Sequence, residues 1–148
     1  MPNRLTLLAA ACVLLLGGQG AVYGVTRRAG AAQAARVGRE FRIRAGRTVT
    51  LAREGLRLRF VRVAADSRCP TGVECVWAGN AEVVIEVGAR NRRVSKTLRL
   101  NTNASPERPA EDKYRSYTVK LVELKPYPSA ARKIRQGEYT ATLLVVRD

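Results

Sequence analysis

The sequence predicts an all-β fold, an antiparallel β-sandwich (Ig-like or a small barrel) of about seven strands with one short helix at most. Apolar and polar residues alternate with period two in short runs, and these runs are rich in β-branched and aromatic residues. Turn-forming residues separate the runs, and seven of them within about 110 residues are typical of a sandwich or small barrel. The one helical candidate is Ser129–Gln136, with Ser129 as N-cap and Gly137 at the exit.

The predicted strands share this alternation and are bounded by turn signals such as Arg53-Glu54-Gly55. In chain order they cover 41–44, 48–51, 56–63, 81–87, 94–100, 117–124 and 138–146. Two connections, Asn101–Ser116 and Lys125–Gly137, are longer than strand connections usually need. Long loops on a rigid scaffold are natural binding sites, so both are candidates for contact with a ligand.

Residues 1–34 are predicted to be a signal peptide or an N-terminal membrane anchor, and residues 35–148 a single β-sandwich domain. Arg4 precedes the apolar run Leu5–Leu16, as in a signal peptide. Leu5–Thr26 is also long enough to cross a bilayer, which keeps the anchor open. Cys12 matches a lipid-attachment site only loosely and fits better as a small hydrophobe of the apolar run. The domain is therefore expected to be exported, periplasmic or extracellular.

The stretch Asp66–Asn80 contains both cysteines of the predicted domain and the only tryptophan. In an oxidising compartment, Cys69 and Cys75 are expected to form a disulfide. The rival reading, a redox-active pair, lacks the Cys-x-x-Cys spacing of such centres. Trp77 is predicted to pack in the core beside the disulfide, as in sandwich domains. The alternative is an exposed Trp77 that stacks on a sugar ring.

The absence of histidine excludes most common catalytic chemistries. Without it there is no Ser-His-Asp or Cys-His nucleophile and no His-ligated zinc or copper. No Gly-rich phosphate loop or dinucleotide fingerprint is present either. We therefore expect no catalytic residue, metal or cofactor. A carboxylate-based hydrolase centred on Asp66 and Glu74 remains an alternative.

The strongest compositional signal is positive charge. The chain has 27 Lys and Arg against 12 Asp and Glu, a net charge of +15, and leaving out Arg4, Arg27 and Arg28 gives about +12 for the domain. Arginines alternate with apolar residues along the early strands and are predicted to share one outward face. That face, with tyrosines at loop ends, gives the candidate binding residues Arg42, Arg44, Arg57, Arg59, Tyr114 and Tyr127.

The expected partners of such a surface are anionic envelope polysaccharide, lipid headgroups or an acidic protein. Nucleic acid is disfavoured by export and by the presence of only eight aromatic residues to stack on bases. A second interpretation is that the arginines reflect composition, and that charge at strand edges blocks aggregation.

The motif Asp-Ser-Arg-Cys-Pro-x4-Cys-Val-Trp-Ala-Gly-Asn-Ala at 66–81 is followed by Val-Glu-Leu-Lys-Pro-Tyr-Pro at 122–128 and Gly-Glu-Tyr-Thr-Ala at 137–141. Together these resemble a group of small uncharacterised bacterial secreted proteins and lipoproteins. The resemblance covers most of the predicted domain and implies export and a β fold. It brings no activity with it.

Three functions are open at this point. The first is an exported, non-enzymatic binding or structural module of the cell envelope that uses the arginine face or the long loops. The second is a protease-inhibitor-like or assembly-partner domain that presents the Cys69–Cys75 loop. The third is the carboxylate-based hydrolase. Rigid, exposed loop residues favour the second, and carboxylates with raised pKa values in a cleft favour the third.

Overall fold

The computed structural model describes residues 35–89 and 95–148, which lie in one compact unit, Ala32–Asp148. They form two four-stranded antiparallel sheets, so the predicted all-β sandwich is confirmed. The predicted signal peptide or anchor at 1–34 lies outside the described residues, and so does Val94 of the fifth predicted strand. Within the described ranges, no helix is long and apolar enough to cross a membrane.

The eight strands alternate between buried and exposed residues along much of their length, as the sequence predicts. They are β1 (Glu40–Arg44), β2 (Thr48–Leu51), β3 (Leu56–Asp66), β4 (Ala81–Ala89), β5 (Ser95–Asn101), β6 (Glu111–Tyr114), β7 (Tyr117–Lys125) and β8 (Thr140–Arg147). The first sheet has the order β1-β8-β7-β6 and the second the order β2-β3-β4-β5. Consecutive strands β1 and β2 therefore belong to different sheets.

Strand β6 is the additional strand, and it lies inside a segment that the sequence assigns to a loop. Its residues, Glu-Asp-Lys-Tyr, lack the alternating apolar residues that mark a half-buried strand. It forms because a tight turn pairs Tyr114 with Tyr117, and Arg115 adopts the left-handed conformation that such a turn needs, with φ of 57°. The pairing thus depends on the turn rather than on an apolar pattern.

The helix predicted at Ser129–Gln136 is wrong. Residues 129–135 contain no helix, and a short 3₁₀ turn, Gln136–Glu138, begins only at the last residue of the predicted segment. Ser129 forms a bridge with Thr71, and the Gln136 side chain both accepts from the Val63 amide (3.0 Å) and donates to the Val63 carbonyl (2.7 Å). These contacts hold the segment against β3 and the neighbouring loop, so tertiary contacts override a weak local helix preference.

The core lies between the two sheets and is filled by strand residues. Among the largest of its fully buried side chains are Phe60, Ile85, Leu98 and Leu143. Each such side chain contributes about 1.5–3 kcal/mol of burial free energy relative to exposure. In the connection between β3 and β4, residues 71–78 are all exposed, so this part of the chain lies outside the core.

Candidate functional site

The connection between β3 and β4, residues 67–80, is called the stapled loop below. At its base the Ser67 amide donates to the Asn80 carbonyl (2.7 Å), and the Cys69 amide donates to the Ala78 carbonyl (3.1 Å). Beyond this last pair, the Cys69–Cys75 disulfide closes the tip, with 5.9 Å between the two Cα atoms. The predicted disulfide is confirmed. The loop is thus a short hairpin with a covalently closed end.

Gly79 is required for the hairpin to close. Its φ is +68°, a conformation that residues with a Cβ rarely adopt. A Cβ built on Gly79 would lie 1.8 Å from the Ser67 carbonyl oxygen and 2.9 Å from the Arg68 Cα. Because these are backbone atoms, no side-chain rotation relieves the clash. Glycine therefore sets how closely the two arms of the loop approach.

One flank of the stapled loop is bound to the segment after β5 by asparagines. The Asn80 Nδ2 donates to Asn101 Oδ1 (2.7 Å), and the Asn103 amide donates to Asn80 Oδ1 (3.0 Å). The Asn103 side chain also donates to the Gly79 carbonyl (3.2 Å). These side-chain and backbone bonds fix the returning arm of the loop at the end of the second sheet.

The other flank is fixed by Arg68, whose side chain is buried. Its guanidinium donates twice to the Asp66 carboxylate, at 2.8 and 2.7 Å, and also to the carbonyls of Leu124 (2.7 Å) and Pro126 (2.9 Å). It also lies over the Tyr127 ring, 4.9 Å from the centroid. A planar guanidinium suits this combination of a bidentate carboxylate and a stacked ring. One side chain thus links the stapled loop to the end of β7.

The Asp66 carboxylate is held in its ionised form by these contacts. Burial raises its pKa, but hydrogen bonds from the Arg68 side chain and backbone outweigh burial, so the pKa of Asp66 lies below its usual value. The Tyr139 hydroxyl also donates to it (3.0 Å), and burial together with this bond raises the pKa of Tyr139 to about 12. A general acid near neutral pH needs a raised carboxyl pKa, whereas the pKa of Asp66 is lowered, so its environment does not favour that role.

The tip of the stapled loop exposes apolar side chains. Trp77 is 81% exposed, Val76 is 90% exposed, and Val73 is also exposed. The prediction that Trp77 packs in the core beside the disulfide is wrong. The reason is that the disulfide closes a loop outside the sandwich, where Cys75 is itself exposed and no core is within reach.

These residues account for much of the apolar exposure of the domain. Among the described residues, six large apolar side chains are exposed, and three of them are on the stapled loop. A fourth, Tyr127, lies on the adjoining turn and is 53% exposed, so its predicted exposure is confirmed. Scattered exposed apolar residues are normal, whereas a concentration of them indicates an interaction site.

A shallow cavity of about 400 Å³ lies beside the loop. It is lined by Ala78 and Gly79 on one side, by Asn103 on another, and by the end of β7 with Tyr127. The exposed tip therefore stands next to a depression that is partly apolar. This depression adds contact area beside the convex tip.

The four candidate arginines do not share one face, contrary to the prediction. Arg42 and Arg44 point outward from β1 in the first sheet, whereas Arg57 and Arg59 point outward from β3 in the second. The sequence alternation correctly places each arginine on an exposed side, but it cannot tell which strands belong to which sheet. A guanidinium nitrogen of Arg59 lies 4.0 Å from a carboxylate oxygen of Glu86, at the outer limit for an ion pair.

Tyr114 is also misplaced by the sequence. It was expected to be an exposed contact residue, but it is only 6% exposed. It ends β6, and the guanidinium of Arg115 lies 5.4 Å from its ring centroid. The sequence pattern places Tyr114 in a loop, and loop residues are usually exposed, whereas Tyr114 is the last residue of β6 and is buried.

The roles of Arg68, Val76 and the asparagines at 80, 101 and 103 are not visible in the sequence. An arginine inside a loop motif gives no sign that it is buried. The one available signal was an acid and an arginine two residues apart, Asp66 and Arg68, at the end of a strand. Such pairs are common at surfaces, so the spacing alone does not identify a buried pair.

Comparison with known proteins gives no relative for this chain. No protein-family model matches it, and neither the curated proteins nor the solved structures contain a match. The resemblance noted from the cysteine motif therefore stays a prediction. In residues 35–89 and 95–148, no group of three or more His, Cys, Asp or Glu side chains is placed to hold a metal ion.

Proposed function

We propose that this chain is an exported, non-enzymatic binding module whose stapled loop inserts Val76 and Trp77 into an apolar cleft of a partner protein. The observation that carries the proposal is the exposure of these two adjacent side chains, 90% and 81%, at the tip of a loop fixed on every side. Trp is among the residues most enriched in binding hot spots. Leaving one exposed on a held loop has no stabilising role in the free domain.

The stapled loop is suited to binding because it is already ordered in the free protein, before it meets a partner. The disulfide, the Arg68 contacts and the asparagine bonds each restrict it in the free protein. Association costs free energy for every segment that must be ordered, and a preformed loop avoids this cost. A convex, rigid tip of this kind complements a cleft, as an assembly partner or inhibitor loop does.

The neighbours of Trp77 favour a protein partner over a sugar. Val76 and Ala78 flank it in the chain, and Val73 lies at the same tip. Sites for polar ligands combine apolar surface with several placed hydrogen-bonding groups. The tip offers Glu74 as its only charged side chain, so apolar burial supplies most of the contact. Since the domain carries about +12, we expect an acidic rim around the partner's cleft.

Export is part of the proposal and has two supports. The apolar segment Leu5–Leu16 follows Arg4, as in a signal peptide. Disulfides such as Cys69–Cys75 persist in oxidising compartments and are rare in the cytosol. Both fit a protein of the cell envelope or the extracellular space.

Replacing Trp77 with alanine should weaken partner binding about 30-fold, which corresponds to about 2 kcal/mol for a hot-spot side chain. The partner would first be found with a photo-crosslinking amino acid at position 76 in the native host, and then purified for titration calorimetry. Thermal stability should change by no more than about 2 °C, because the side chain is exposed.

The matched control is Val146→Ala, since Val146 is an exposed apolar residue of β8 away from the loop. It should bind the partner as the unmodified chain does. Equal binding by Trp77→Ala, or a crosslink formed as well from position 146 as from position 76, would contradict the proposal. Trp77-dependent binding to a neutral glycan instead of a protein would also contradict it.

A further inference from the structure

The positive charge of the domain is concentrated in its first three strands. Residues 36–62 contain nine arginines, no lysine and only two acids, Glu40 and Glu54, a net charge of +7. Residues 63–148 contain 15 basic and 10 acidic residues, a net charge of +5 over a segment three times as long. A compositional habit would spread arginine evenly along the chain. The uneven distribution indicates that this part of the surface is selected for charge.

The fold places the strands that carry these arginines at one lateral edge of the sandwich or next to it, although their side chains point outward from two different sheets. Strand β1 is the outermost strand of the first sheet, and β2 is the outermost strand of the second. The turn between them is fastened to β3, with the Gly46 amide donating to the Phe60 carbonyl (2.7 Å) and the Phe60 amide donating to the Arg47 carbonyl (3.0 Å). The two outer strands are therefore neighbours across one lateral edge of the sandwich.

This set is called the arginine edge below, and every member is exposed: Arg36, Arg39, Arg42, Arg44, Arg47, Arg53, Arg57, Arg59 and Arg62. Most of them are not neutralised. Within the described residues only Arg59 has a carboxylate within 4.0 Å, and that one lies at the limit. By contrast, Arg99, Arg132, Lys96 and Lys113 elsewhere on the domain each pair with an acid at hydrogen-bonding distance. Arg44 also donates a hydrogen bond to the Gly137 carbonyl. The edge thus presents guanidinium groups of which eight have no carboxylate within 4.0 Å among the described residues.

We propose that the arginine edge binds a linear, flexible polyanion, specifically an anionic polysaccharide. Guanidinium groups pair with the planar carboxylates or the sulfates of such polymers through two parallel hydrogen bonds, which the ammonium group of lysine cannot match. The segment 36–62 contains arginine but no lysine, and this favours such a ligand. The arginines of β1 point away from one sheet and those of β3 away from the other. A flat bilayer cannot meet both flanks at once, whereas a flexible chain can bend around the edge.

The test uses residues 32–148, a compact unit that contains both sheets, the described core and the disulfide, and we expect it to fold on its own. Binding to heparin, as a sulfated polymer, and to polygalacturonate, as a carboxylated one, would be measured at about 0.15 M salt and over a salt series. The edge variant Arg42→Gln, Arg57→Gln, Arg62→Gln should bind at least about tenfold more weakly, as expected for three lost exposed ion contacts.

The control variant removes the same charge from other exposed positions: Arg108→Gln, Lys120→Gln, Lys133→Gln. It should keep the affinity of the unmodified domain within about twofold. Equal losses in the edge and control variants would overturn the proposal, because binding would then follow net charge alone. Circular dichroism of each variant verifies that it is folded.

Two further probes test the choice of polymer. Duplex DNA and vesicles of phosphatidylglycerol with phosphatidylcholine should bind more weakly than the polysaccharides at the same salt concentration. Tighter binding to either, or no binding to heparin or polygalacturonate, would overturn the proposal. Trp77→Ala should leave polysaccharide binding unchanged, because Trp77 does not belong to the arginine edge. This variant therefore separates the arginine edge from the stapled loop.

Discussion

Replacing Arg68 with methionine should lower the free energy of unfolding by about 3–5 kcal/mol, the usual cost of breaking a buried ion pair by removing one partner. Methionine leaves the Asp66 carboxylate in a desolvated site without its bidentate donor. It also leaves the carbonyls of Leu124 and Pro126 without the bonds they accept from Arg68. Urea unfolding of residues 32–148, followed by far-UV circular dichroism, measures the change.

The matched control is Arg99→Met, because Arg99 forms an ion pair with Glu82 but its side chain is 61% exposed. Exposed pairs contribute less than about 1 kcal/mol, so this variant should lose little stability. A loss in Arg68→Met no larger than that of Arg99→Met would show that the loop is not anchored through Arg68.

The pH dependence of the same variants identifies the mechanism. Since the pKa of Asp66 is lowered in the folded state, the ionised form stabilises the fold above the ordinary carboxyl value of 3.8. That contribution should be lost as the pH falls below this value through the folded-state pKa. In Arg68→Met the main lowering interaction is gone and burial remains, so this part of the acid dependence should disappear or reverse.

Gly79→Ala should cost more than about 3 kcal/mol and open the base of the stapled loop. The cost has two sources, a strained positive φ and a Cβ placed 1.8 Å from the Ser67 carbonyl oxygen. The arms must separate to remove the clash, which breaks the hydrogen bond between Ser67 and Asn80. Thermal unfolding and amide hydrogen exchange at Ser67 measure these two effects.

Gly72→Ala separates the two sources. Gly72 has a φ of +80° and nothing within 4 Å of a Cβ, so it carries the conformational strain without the clash. It should cost only about 1 kcal/mol. If Gly79→Ala costs no more than Gly72→Ala, the close approach of the two loop arms does not exist in solution.

The strands could be predicted from the sequence because their signal is local. The alternation in Leu56–Val63 and in the last strand reflects burial of one sheet face, and all seven predicted strands are present. The cysteine pairing was predictable because both residues lie in one short loop. Where a strand is made by a turn rather than by an apolar face, as in β6, the pattern fails.

The site was harder to predict because its properties depend on tertiary position. Trp77 beside a disulfide suggests core packing, but that holds only where the disulfide itself lies between sheets. Arg42 and Arg57 have the same exposed pattern, yet the chain crosses from one sheet to the other between them. Arg68 resembles any loop arginine until its partners at Leu124 and Pro126 come near in the fold.

Trp77 is the only tryptophan, so its intrinsic fluorescence reports whether the stapled loop holds this side chain exposed and ordered in the free protein. We expect red-shifted emission, efficient quenching by acrylamide, and an anisotropy decay that follows tumbling of the whole domain. Reduction of the Cys69–Cys75 disulfide should add a fast component to that decay. Blue-shifted emission protected from acrylamide would instead place Trp77 in the core, and the stapled loop could not then present it to a partner.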